Sequence, residues 1–456
     1  MTTPRSADIV ICGAGMAGVA VAYHLAVRHG AKRVVLVDER EPITLTSDKG
    51  TQAYRNWFGG PGDAMVGFMN RSIDLLEELA EESGNAFDLQ RRGYLFVTGD
   101  NAQVEKLRAS GRENEALGAG SLREHPGSVP YCAAPAHGWK DQPTGADLIT
   151  DRALMREHFP YVTDRAVGML HVRRAGSLDA PKLGEYLLAR ARDAGVEIVR
   201  DRMTDVARSP AGVSGVTFAS GDSIRTGTLV LAPGPLLKDA AHLLGIELPV
   251  SLELHGKLTL QDHLGVIPRD SPMTIWFDPV ELEWSHGERE RLLASSDGQR
   301  LTSRMPSGIH VRPRDDGRSN TIFLIWTYHL EQREFAWPPQ FDANYGEALI
   351  RALAHVIPAM RAYFGKAAEA DVDGGYYCKT PENRPLVGPL EVRGAYVAAA
   401  LSGYGIMASQ AAGDLVAAHV MGSELPTYER WFRPDRYERP EYRAMLGGWD
   451  AVSGQL

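Results

Sequence analysis

The residues Gly13-Ala14-Gly15-Met16-Ala17-Gly18 have the types and spacing needed to hold a pyrophosphate. Gly13 permits a tight turn, Gly15 lets the backbone approach phosphate oxygens, and Gly18 lets a helix pack closely on a strand. A helix that begins here presents free N–H groups and the positive end of its dipole to an anion. Asp38 follows Gly18 by 20 residues, where an acid accepts hydrogen bonds from a ribose. The pattern predicts a dinucleotide site and does not by itself distinguish FAD from NAD.

Local patterns place this glycine run between a strand and a helix. Asp8-Ile9-Val10-Ile11-Cys12 is a short apolar run typical of a buried strand, and it ends directly at Gly13. Apolar residues then recur at helical spacing as far as Gly30, and a second apolar run over residues 34–37 ends at Asp38. This order is the βαβ unit that binds dinucleotides, and it argues against a glycine-rich turn without chemical meaning.

Composition limits the classes of function that fit. A chain of 456 residues is long enough for two or more domains, and its net charge of −9 argues against nucleic acid or an anionic membrane surface as a partner. The three cysteines, Cys12, Cys132 and Cys378, are too widely spaced for a disulfide framework or a CxxC metal site, and we predict no metal. No apolar segment precedes the first strand and no apolar stretch reaches about 18 residues, so we expect a cytoplasmic protein without a transmembrane helix.

Changes of pattern along the chain predict two domains. Helices and buried strands alternate near the N-terminus and again over residues 176–234, whereas residues 251–370 read as alternating strands with one amphipathic helix over 345–357. We therefore expect an α/β protein with a Rossmann-like domain of residues 1–90, 145–250 and 371–425. An α+β substrate-binding domain of residues 91–144 and 251–370, built on an antiparallel sheet, is inserted into it. Residues 426–456 form an aromatic and basic tail, packed across the surface or against a second subunit of a homodimer.

Two C-terminal blocks identify a family resemblance. Residues 380–389 read TPENRPLVGP, and after a predicted strand residues 399–407 read AALSGYGIM. With the glycine loop, the hydroxyl-rich loop at 46–51, the segment GSLDAPKL at 176–183 and VLAPG at 230–234, this set resembles the D-amino acid oxidase superfamily of flavoproteins. The branch it resembles most contains glycine oxidase, sarcosine oxidase and D-amino acid dehydrogenase.

The resemblance implies FAD and a redox reaction at a carbon that bears nitrogen. It assigns cofactor contacts to the glycine loop and its acid, to the hydroxyl-rich loop, to the adenine-side strand and to the C-terminal block: Gly13, Gly15, Gly18, Asp38, Glu39, Thr46, Ser47, Met203, Gly234, Gly403, Tyr404, Gly405, Ile406 and Met407. The implied chemistry is hydride transfer from the substrate carbon to flavin N5, which gives an imine that hydrolyses.

Three departures from the family pattern refine this expectation. The position of the cysteine that some members bond to FAD is Gly375 here, so we expect non-covalent FAD, with a bond to the nearby Cys378 as the alternative. The lysine that completes a carboxylate clamp in those members is replaced by Met407. The lysine that activates oxygen aligns with Ile325, which favours a dehydrogenase that reduces an electron carrier over an oxidase that reduces O2.

Four residues are candidates for the substrate site. Arg55, flanked by aromatic residues, is predicted to anchor a substrate carboxylate, with an ion pair to Asp48 or Glu39 as the alternative. Tyr404, which stands where the family usually has histidine, is expected to face the flavin or the substrate, with simple packing as the alternative. His255 and Lys257 lie on a strand that borders the flavin in this fold, where Lys257 would steady the reduced flavin, activate oxygen, or simply end a solvated strand.

Two further groups of residues have a functional and a structural interpretation. Trp326, Tyr328, Tyr376 and Tyr377 could form an aromatic box for an amine, although such residues more often belong to a core. His310, Arg312 and Arg314 alternate on one strand face and could meet an acidic substrate, although exposed strand charges are the more common case.

The sequence thus predicts an FAD-dependent oxidoreductase of a small amine or amino acid, with O2 or an electron carrier as acceptor. The alternatives are a 2-hydroxy acid or alcohol dehydrogenase, in which His255 would be the base, and a flavin-binding partner subunit without turnover of its own.

Overall fold

The structure is a computed structural model that describes residues 5–127, 129–326, 328 and 331–447, with the side chain of Asp297 left out. The strands are β1 (Arg5–Ser6), β2 (Ile9–Cys12), β3 (Val34–Asp38), β4 (Ala53–Arg55), β5 (Tyr94–Thr98), β6 (Leu122–His125), β7 (Ala146–Ile149), β8 (Gly168–Val172), β9 (Ala175–Ser177), β10 (Glu197–Arg200), β11 (Met203–Ser209), β12 (Gly212–Phe218), β13 (Ser223–Arg225), β14 (Thr228–Leu231), β15 (Ser251–Gln261), β16 (Met273–Trp276), β17 (Val280–Glu281), β18 (Arg304–Met305), β19 (His310–Pro313), β20 (Thr321–Ile325), β21 (Asp371–Lys379), β22 (Leu386–Pro389) and β23 (Ala395–Ala399). The helices are α1 (Met16–Tyr23), α2 (Ala64–Ser83), α3 (Asn101–Ala116), α4 (Arg152–His158), α5 (Ala180–Asp193), α6 (Leu237–His242), α7 (His286–Leu293), α8 (Ser296–Leu301), α9 (Tyr345–Leu353), α10 (Gly405–Met421) and α11 (Pro440–Leu446).

A mainly parallel sheet forms the first domain. Its strand order is β10-β3-β2-β14-β23-β22, with only the pair β22 and β23 antiparallel. The strands β2, β3 and β14 are almost wholly buried, because one face of the sheet packs on helices α1, α5 and α10 and the other packs on strands β11–β13 and helix α6. Helices α1 and α10 pack so closely that a Cβ atom on Gly413 would lie 2.8 Å from the carbonyl carbon of Ala20. The predicted Rossmann-like fold is confirmed.

A second, mixed sheet carries the other domain in the order β21-β15-β20-β19-β16-β5-β8-β7-β6. Most of its neighbours are antiparallel, whereas β16 with β5 and β6 with β7 are parallel. One face packs its apolar side chains, among them Leu258, Leu324 and Val311, against helix α9 in a separate core. The other face, which carries His255, Lys257 and His310, is turned toward the first domain and is also buried. This second buried face is what brings the strand residues to the candidate site.

The strand pairing bears on the predicted domain limits. Strands β7 and β8 pair with each other, and β8 pairs with β5, inside the mixed sheet. The predicted limit at residue 145 assigned both strands to the first domain. We propose that the second domain extends to about residue 174 and that the first domain resumes at β9, which pairs with β4.

The tail packs on the first domain through a buried ion pair. Arg436, with no exposed surface, donates from Nη2 to Glu382 Oε1 over 2.6 Å and from Nη1 to the carbonyl oxygen of Pro385 over 2.7 Å. Glu382 also accepts hydrogen bonds from the hydroxyls of Tyr437 and Tyr442. Burial alone would raise the pKa of Glu382, but Arg436 outweighs it and holds that pKa below its usual value. Of the two predicted packing modes for the tail, the structure shows the intramolecular one for residues 426–447; the rest lies outside the described residues.

Candidate cofactor and substrate site

The glycine loop is held in a shape that only glycine fits. Gly13 has a φ of +104° and donates its N–H to the carbonyl oxygen of Val37 over 2.8 Å. A Cβ atom at Gly13 would lie 2.3 Å from the carbonyl oxygen of Ala232, and one at Gly18 would lie 1.8 Å from the carbonyl oxygen of Gly13. Both distances are far below van der Waals contact. The loop therefore leaves an open backbone at the start of α1, as a pyrophosphate requires.

Asp38 and Ser47 brace this loop from two sides. Asp38 Oδ2 accepts the N–H of Ala14 over 2.7 Å, and its Oδ1 accepts the N–H of Arg40 over 2.9 Å. Ser47 Oγ accepts the N–H of Met16, the first residue of α1, over 2.9 Å. The hydroxyl-rich loop thus sits over the N-terminus of the helix, a contact that its composition alone did not indicate.

Three adjoining cavities run from the glycine loop to the mixed sheet. The first, called here the adenosine-side cavity, is lined among others by Asp38, Glu39, Arg40 and Met203. The central cavity has about 860 Å³ of empty space and is partly open to solvent. Nine predicted cofactor residues line it: Gly13, Gly15, Asp38, Thr46, Ser47, Gly234, Gly403, Gly405 and Ile406. Gly18, Tyr404 and Met407 do not line it. The first two cavities share Gly13, Gly15 and Asp38, so the glycine loop lies where they meet.

The substrate cavity adjoins the central cavity on its other side. It is lined by Gly50, Thr51, Gln52, Ala53, Arg55, Tyr94, His255, His310, Ile325, Tyr377, Ser402, Gly403, Tyr404, Ile406 and Met407. Gly50, Tyr377, Ser402, Gly403 and Ile406 line both cavities, so the two spaces are in contact along this edge. A Cβ atom at Gly403 would lie 2.3 Å from Tyr377 Cε2, which explains why glycine is needed in this shared wall.

The residues present fit FAD. The site combines a glycine-rich turn at the start of α1, the carboxylate of Asp38 at the end of β3, and a long channel with a mostly small-residue wall over residues 398–403. The hydroxyl of Ser402 is buried at this wall and has no hydrogen-bond partner among the described residues, so it is available to a polar edge of a ligand. Helix α10 begins at Gly405 and directs the positive end of its dipole to the same wall.

Arg55 is a buried cation in the wall of the substrate cavity. Its guanidinium carbon lies 4.8 Å from the ring centre of Phe58 and 5.5 Å from that of Tyr94, and its Nε donates to the carbonyl oxygen of Trp57 over 3.0 Å. Burial lowers the pKa of Arg55 below its ordinary value, yet arginine stays protonated at neutral pH. The two acids considered as ion partners of Arg55 form other ion pairs: Asp48 with Lys49, and Glu39 with Arg40 and Arg202. Arg55 lines the substrate cavity, which is where the anchor interpretation requires it.

His255 heads a chain of three polar side chains. Its ring stacks on Tyr377 with the centres 3.9 Å apart, and its Nε2 lies 3.2 Å from Glu253 Oε2. Glu253 Oε1 in turn accepts a hydrogen bond from Lys379 Nζ over 2.9 Å. Burial lowers the pKa of His255 in spite of Glu253, whereas His255 and Lys379 outweigh burial and lower the pKa of Glu253 to about 2. The site thus contains a neutral imidazole beside a carboxylate.

Lys257 does not line the substrate cavity. Its Nζ donates to the carbonyl oxygen of Asp48 over 3.0 Å and lies 3.3 Å from Asp373 Oδ1, and burial lowers its pKa. The expectation of a solvated strand end is wrong, because the ammonium is buried under the hydroxyl-rich loop. Ile325, directly opposite Lys257 on β20, lines the cavity in its place.

Tyr404 lines the substrate cavity with its hydroxyl already engaged. The hydroxyl donates a short hydrogen bond to the carbonyl oxygen of Asn383, and the ring meets Phe58 edge to face at 5.6 Å. Burial raises the pKa of Tyr404. Tyr404 and Met407 both reach the cavity, so this part of the predicted site is brought together.

The aromatic box does not form. Tyr376 and Tyr377 line the central cavity, but Trp326 and Tyr328 belong to the core behind the mixed sheet. Cys378 also lines the central cavity, where burial raises the pKa of its thiol to about 12.

The prediction of exposed charges is wrong for His310 and Arg312, whereas the side chain of Arg314, which directly follows β19, is 41% exposed. His310 and Arg312 are both buried, and burial lowers their pKa values to about 4 and about 10. The reason is that this face of the sheet is covered by the first domain, so that alternation of polar and apolar residues here marks two buried faces. Tyr94 and Gln52 are cavity residues that the sequence interpretation missed, whereas His310, which it named for its place in the polar alternation on β19, also lines the cavity.

The fold and the glycine loop define a dinucleotide-binding protein with a second, mixed sheet beside its parallel sheet. The family model of FAD-dependent oxidoreductases designated DAO matches residues 8–419, and the chain belongs to that family. It is 23% identical over 439 residues to mitochondrial dimethylglycine dehydrogenase of Rattus norvegicus, covering 94% of this chain and 45% of that protein. It is 24% identical over 250 residues to the sarcosine oxidase beta subunit of an Arthrobacter species, covering 54% of this chain and 55% of that one. The chain therefore spans about half the length of these relatives.

Solved structures confirm the fold. L-proline dehydrogenase from P. horikoshii superposes with a TM-score of 0.73 at 21% identity, covering 96% of this chain and 99% of that chain. Glycine oxidase from Geobacillus kaustophilus superposes with a TM-score of 0.69 at 17% identity, covering 92% and 96%. Within the described ranges, no helix has both the length and the apolar character needed to cross a membrane. Nor do the described residues bring together three or more side chains of the types that bind metal ions.

Proposed function

We propose that this chain oxidises the C–N bond of a carboxylate-bearing amine, such as an amino acid or an N-alkylated amino acid, with non-covalently bound FAD. The observation that carries the proposal is the buried cation Arg55 in a cavity that shares a wall with the central cavity. A buried guanidinium on aromatic rings holds an anionic group strongly, because little water competes for it. Membership of a family of FAD-dependent oxidoreductases supports the cofactor.

The residues around the cavity would divide the work as follows. Arg55 would hold the carboxylate and so orient the substrate carbon toward the shared wall. His255, neutral at physiological pH, would accept a proton from the substrate ammonium, since only a neutral amine gives up hydride readily. FAD, when bound, supplies the acceptor for that hydride. The resulting imine reacts with water to give a carbonyl compound and an amine or ammonia.

The cofactor would be held by the glycine loop and α10. Backbone N–H groups at the start of α1 would bind the pyrophosphate, and Asp38 the ribose. The N-terminus of α10 would favour negative charge beside Gly403 and Gly405. Cys378 supports non-covalent binding, because a thiol whose pKa is raised to about 12 is protonated and a poor nucleophile at neutral pH.

For the electron acceptor we propose a carrier instead of O2. The described residues that line the substrate cavity include no lysine, and the apolar Ile325 lies opposite the buried Lys257. Reoxidation by air would then be slow.

Anaerobic bleaching of the flavin band tests the function. We expect D- or L-amino acids, N-methyl amino acids or another carboxylate-bearing amine to reduce the flavin, and plain amines to do so poorly. Colour should return slowly in air and quickly with an artificial carrier dye. Reduction by 2-hydroxy acids alone would replace this proposal with an alcohol dehydrogenase, and a flavin that no substrate class reduces would favour a partner subunit.

The pH dependence of flavin reduction tests the role of His255. We expect the rate constant at subsaturating substrate to fall in acid as His255 becomes protonated. Replacing Glu253 by glutamine removes the carboxylate that stabilises the imidazolium, so the pKa of His255 falls further and its acid limb moves to lower pH. His255→Asn should slow reduction by about 100-fold and remove that limb. An unchanged rate and profile in His255→Asn, measured by anaerobic stopped flow, would refute the assignment.

A further inference from the structure

A segment of the mixed-sheet domain crosses to the far end of the cofactor channel. Residues 331–337, called here the strap, run beside the first part of β15. Arg333 donates its N–H to the carbonyl oxygen of Leu252 over 2.8 Å, and Gln332 forms an isolated bridge with Glu253. These backbone contacts fix where the strap leaves the sheet.

The tip of the strap reaches the adenosine-side cavity. Phe335 lines that cavity together with Asp38, Glu39 and Met203, all of which come from the first domain. Its ring centre lies 5.3 Å from that of Tyr376, a residue of the central cavity. The hydroxyl of Tyr376 also accepts the N–H of Ala336 over 3.2 Å. Phe335 is therefore seated by contacts that join the strap to the channel wall.

A second contact joins the strap to the loop after β3. The guanidinium carbon of Arg40 lies 5.6 Å from the ring centre of Trp337. Arg40 follows Asp38 by two residues and donates its own N–H to Asp38 Oδ1 over 2.9 Å. Arg40 Nε is buried without a hydrogen-bond partner in the described part of the chain, and Glu39 Oε1 is 3.9 Å from it. This donor is placed in the lining of the adenosine-side cavity and is available to a ligand oxygen.

We propose that the strap is part of the FAD site: Phe335 covers the adenosine half of the cofactor, and the stack of Trp337 on Arg40 keeps the strap closed over it. This inference rests on the proposed binding of FAD, with its ribose at Asp38. The glycine loop and Asp38 hold the nucleotide from one side only, whereas an aromatic ring from the other domain removes apolar surface of the nucleotide from water. The release of FAD then requires the strap to separate from Arg40 and Tyr376.

The retention of FAD and the binding of ADP test the strap without any need for a substrate. Phe335→Ala holoprotein should release FAD about tenfold faster than the wild type, followed by the rise of flavin fluorescence on dilution. Apoprotein of the same variant should bind ADP, which represents the adenosine half alone, about tenfold more weakly by calorimetry. Trp337→Ala holoprotein should also release FAD faster than the wild type.

Phe364→Ala is the matched control, because it removes a half-buried ring of the same domain that packs on Arg351 and lines none of the three cavities. It should leave both measurements unchanged. The proposed role of the strap would be refuted if Phe335→Ala and the wild type released FAD at equal rates and bound ADP equally well. It would also be refuted if the variant bound FAD more weakly but ADP with unchanged affinity. If the wild-type apoprotein takes up no FAD, the proposed function itself fails. Should Phe335→Ala not fold, Phe335→Leu and Trp337→Ala decide the matter by the same release rates.

Discussion

Gly13→Ala protein should purify without flavin. The new Cβ atom would lie 2.3 Å from the carbonyl oxygen of Ala232, so the glycine loop must shift away from β14, and the N–H groups that would bind the phosphates shift with it. The φ of +104° at this position adds strain for any residue with a side chain. We expect the flavin content per protein, measured from the visible absorbance, to fall at least about tenfold, which corresponds to about 1.4 kcal/mol or more of lost binding.

Gly30→Ala provides the matched control for this prediction. Gly30 also has a positive φ, of +69°, but a Cβ atom there would meet nothing within 4 Å. Both variants carry a backbone cost of about 1 kcal/mol, so both should melt at a lower temperature than the wild type. Only Gly13→Ala should lose flavin. A yellow Gly13→Ala protein with full flavin content would show that the loop does not hold the cofactor.

Arg55→Met should weaken substrate binding by about 100-fold or more. The substitution keeps a side chain of similar length on Phe58 and Tyr94 and removes the buried positive charge, and hydrogen bonds to a charged group contribute about 1.5–3 kcal/mol each. The measurement is the substrate concentration that half-bleaches the flavin at equilibrium without oxygen. Arg55→Lys should recover only part of the affinity, because an ammonium cannot form a bidentate pair with a carboxylate.

The control for Arg55 is Arg174→Met, which removes a cation from the segment between β8 and β9 without touching the cavity. Arg174 donates to Asn70 Oδ1 over 2.9 Å and pairs with Asp74. Its loss should leave the half-bleaching concentration unchanged. If Arg55→Met and the wild type respond equally to substrate, or if the wild type prefers amines without a carboxylate, Arg55 is not the anchor.

The sequence was sufficient to predict the cofactor domain because its signal is local. The glycine loop, the strand before it and the acid after it all lie within residues 8–38, and their order along the chain is itself the signal. The C-terminal wall over residues 399–407 could be predicted for the same reason. The strap could not, since it is placed by contacts that are distant in sequence: Arg333 bonds to Leu252, 81 residues earlier, and Phe335 packs on Tyr376, 41 residues later.

The mixed sheet shows a second kind of limit. Alternation of polar and apolar residues on β15 and β19 correctly predicts strands, but it cannot say what covers the polar face. In an ordinary half-exposed sheet water would cover it; here the first domain does, so His310 and Arg312 become buried residues of the site region. The chemistry of the cavity thus depends on how the two domains pack together, and the sequence of a single strand does not predict that packing.

The buried pair of Arg436 and Glu382 has a consequence for biosynthesis. Glu382 lies beside Asn383, whose carbonyl oxygen holds the hydroxyl of Tyr404 in the substrate cavity. The loop that contains Glu382 and Asn383 lacks its charge partner, Arg436, until residue 436 has been translated and has left the ribosomal tunnel. While a nascent chain still lacks Arg436, Glu382 is left without its charge partner. We therefore expect the loop that holds the hydroxyl of Tyr404 to reach its final position only after this segment has been synthesised.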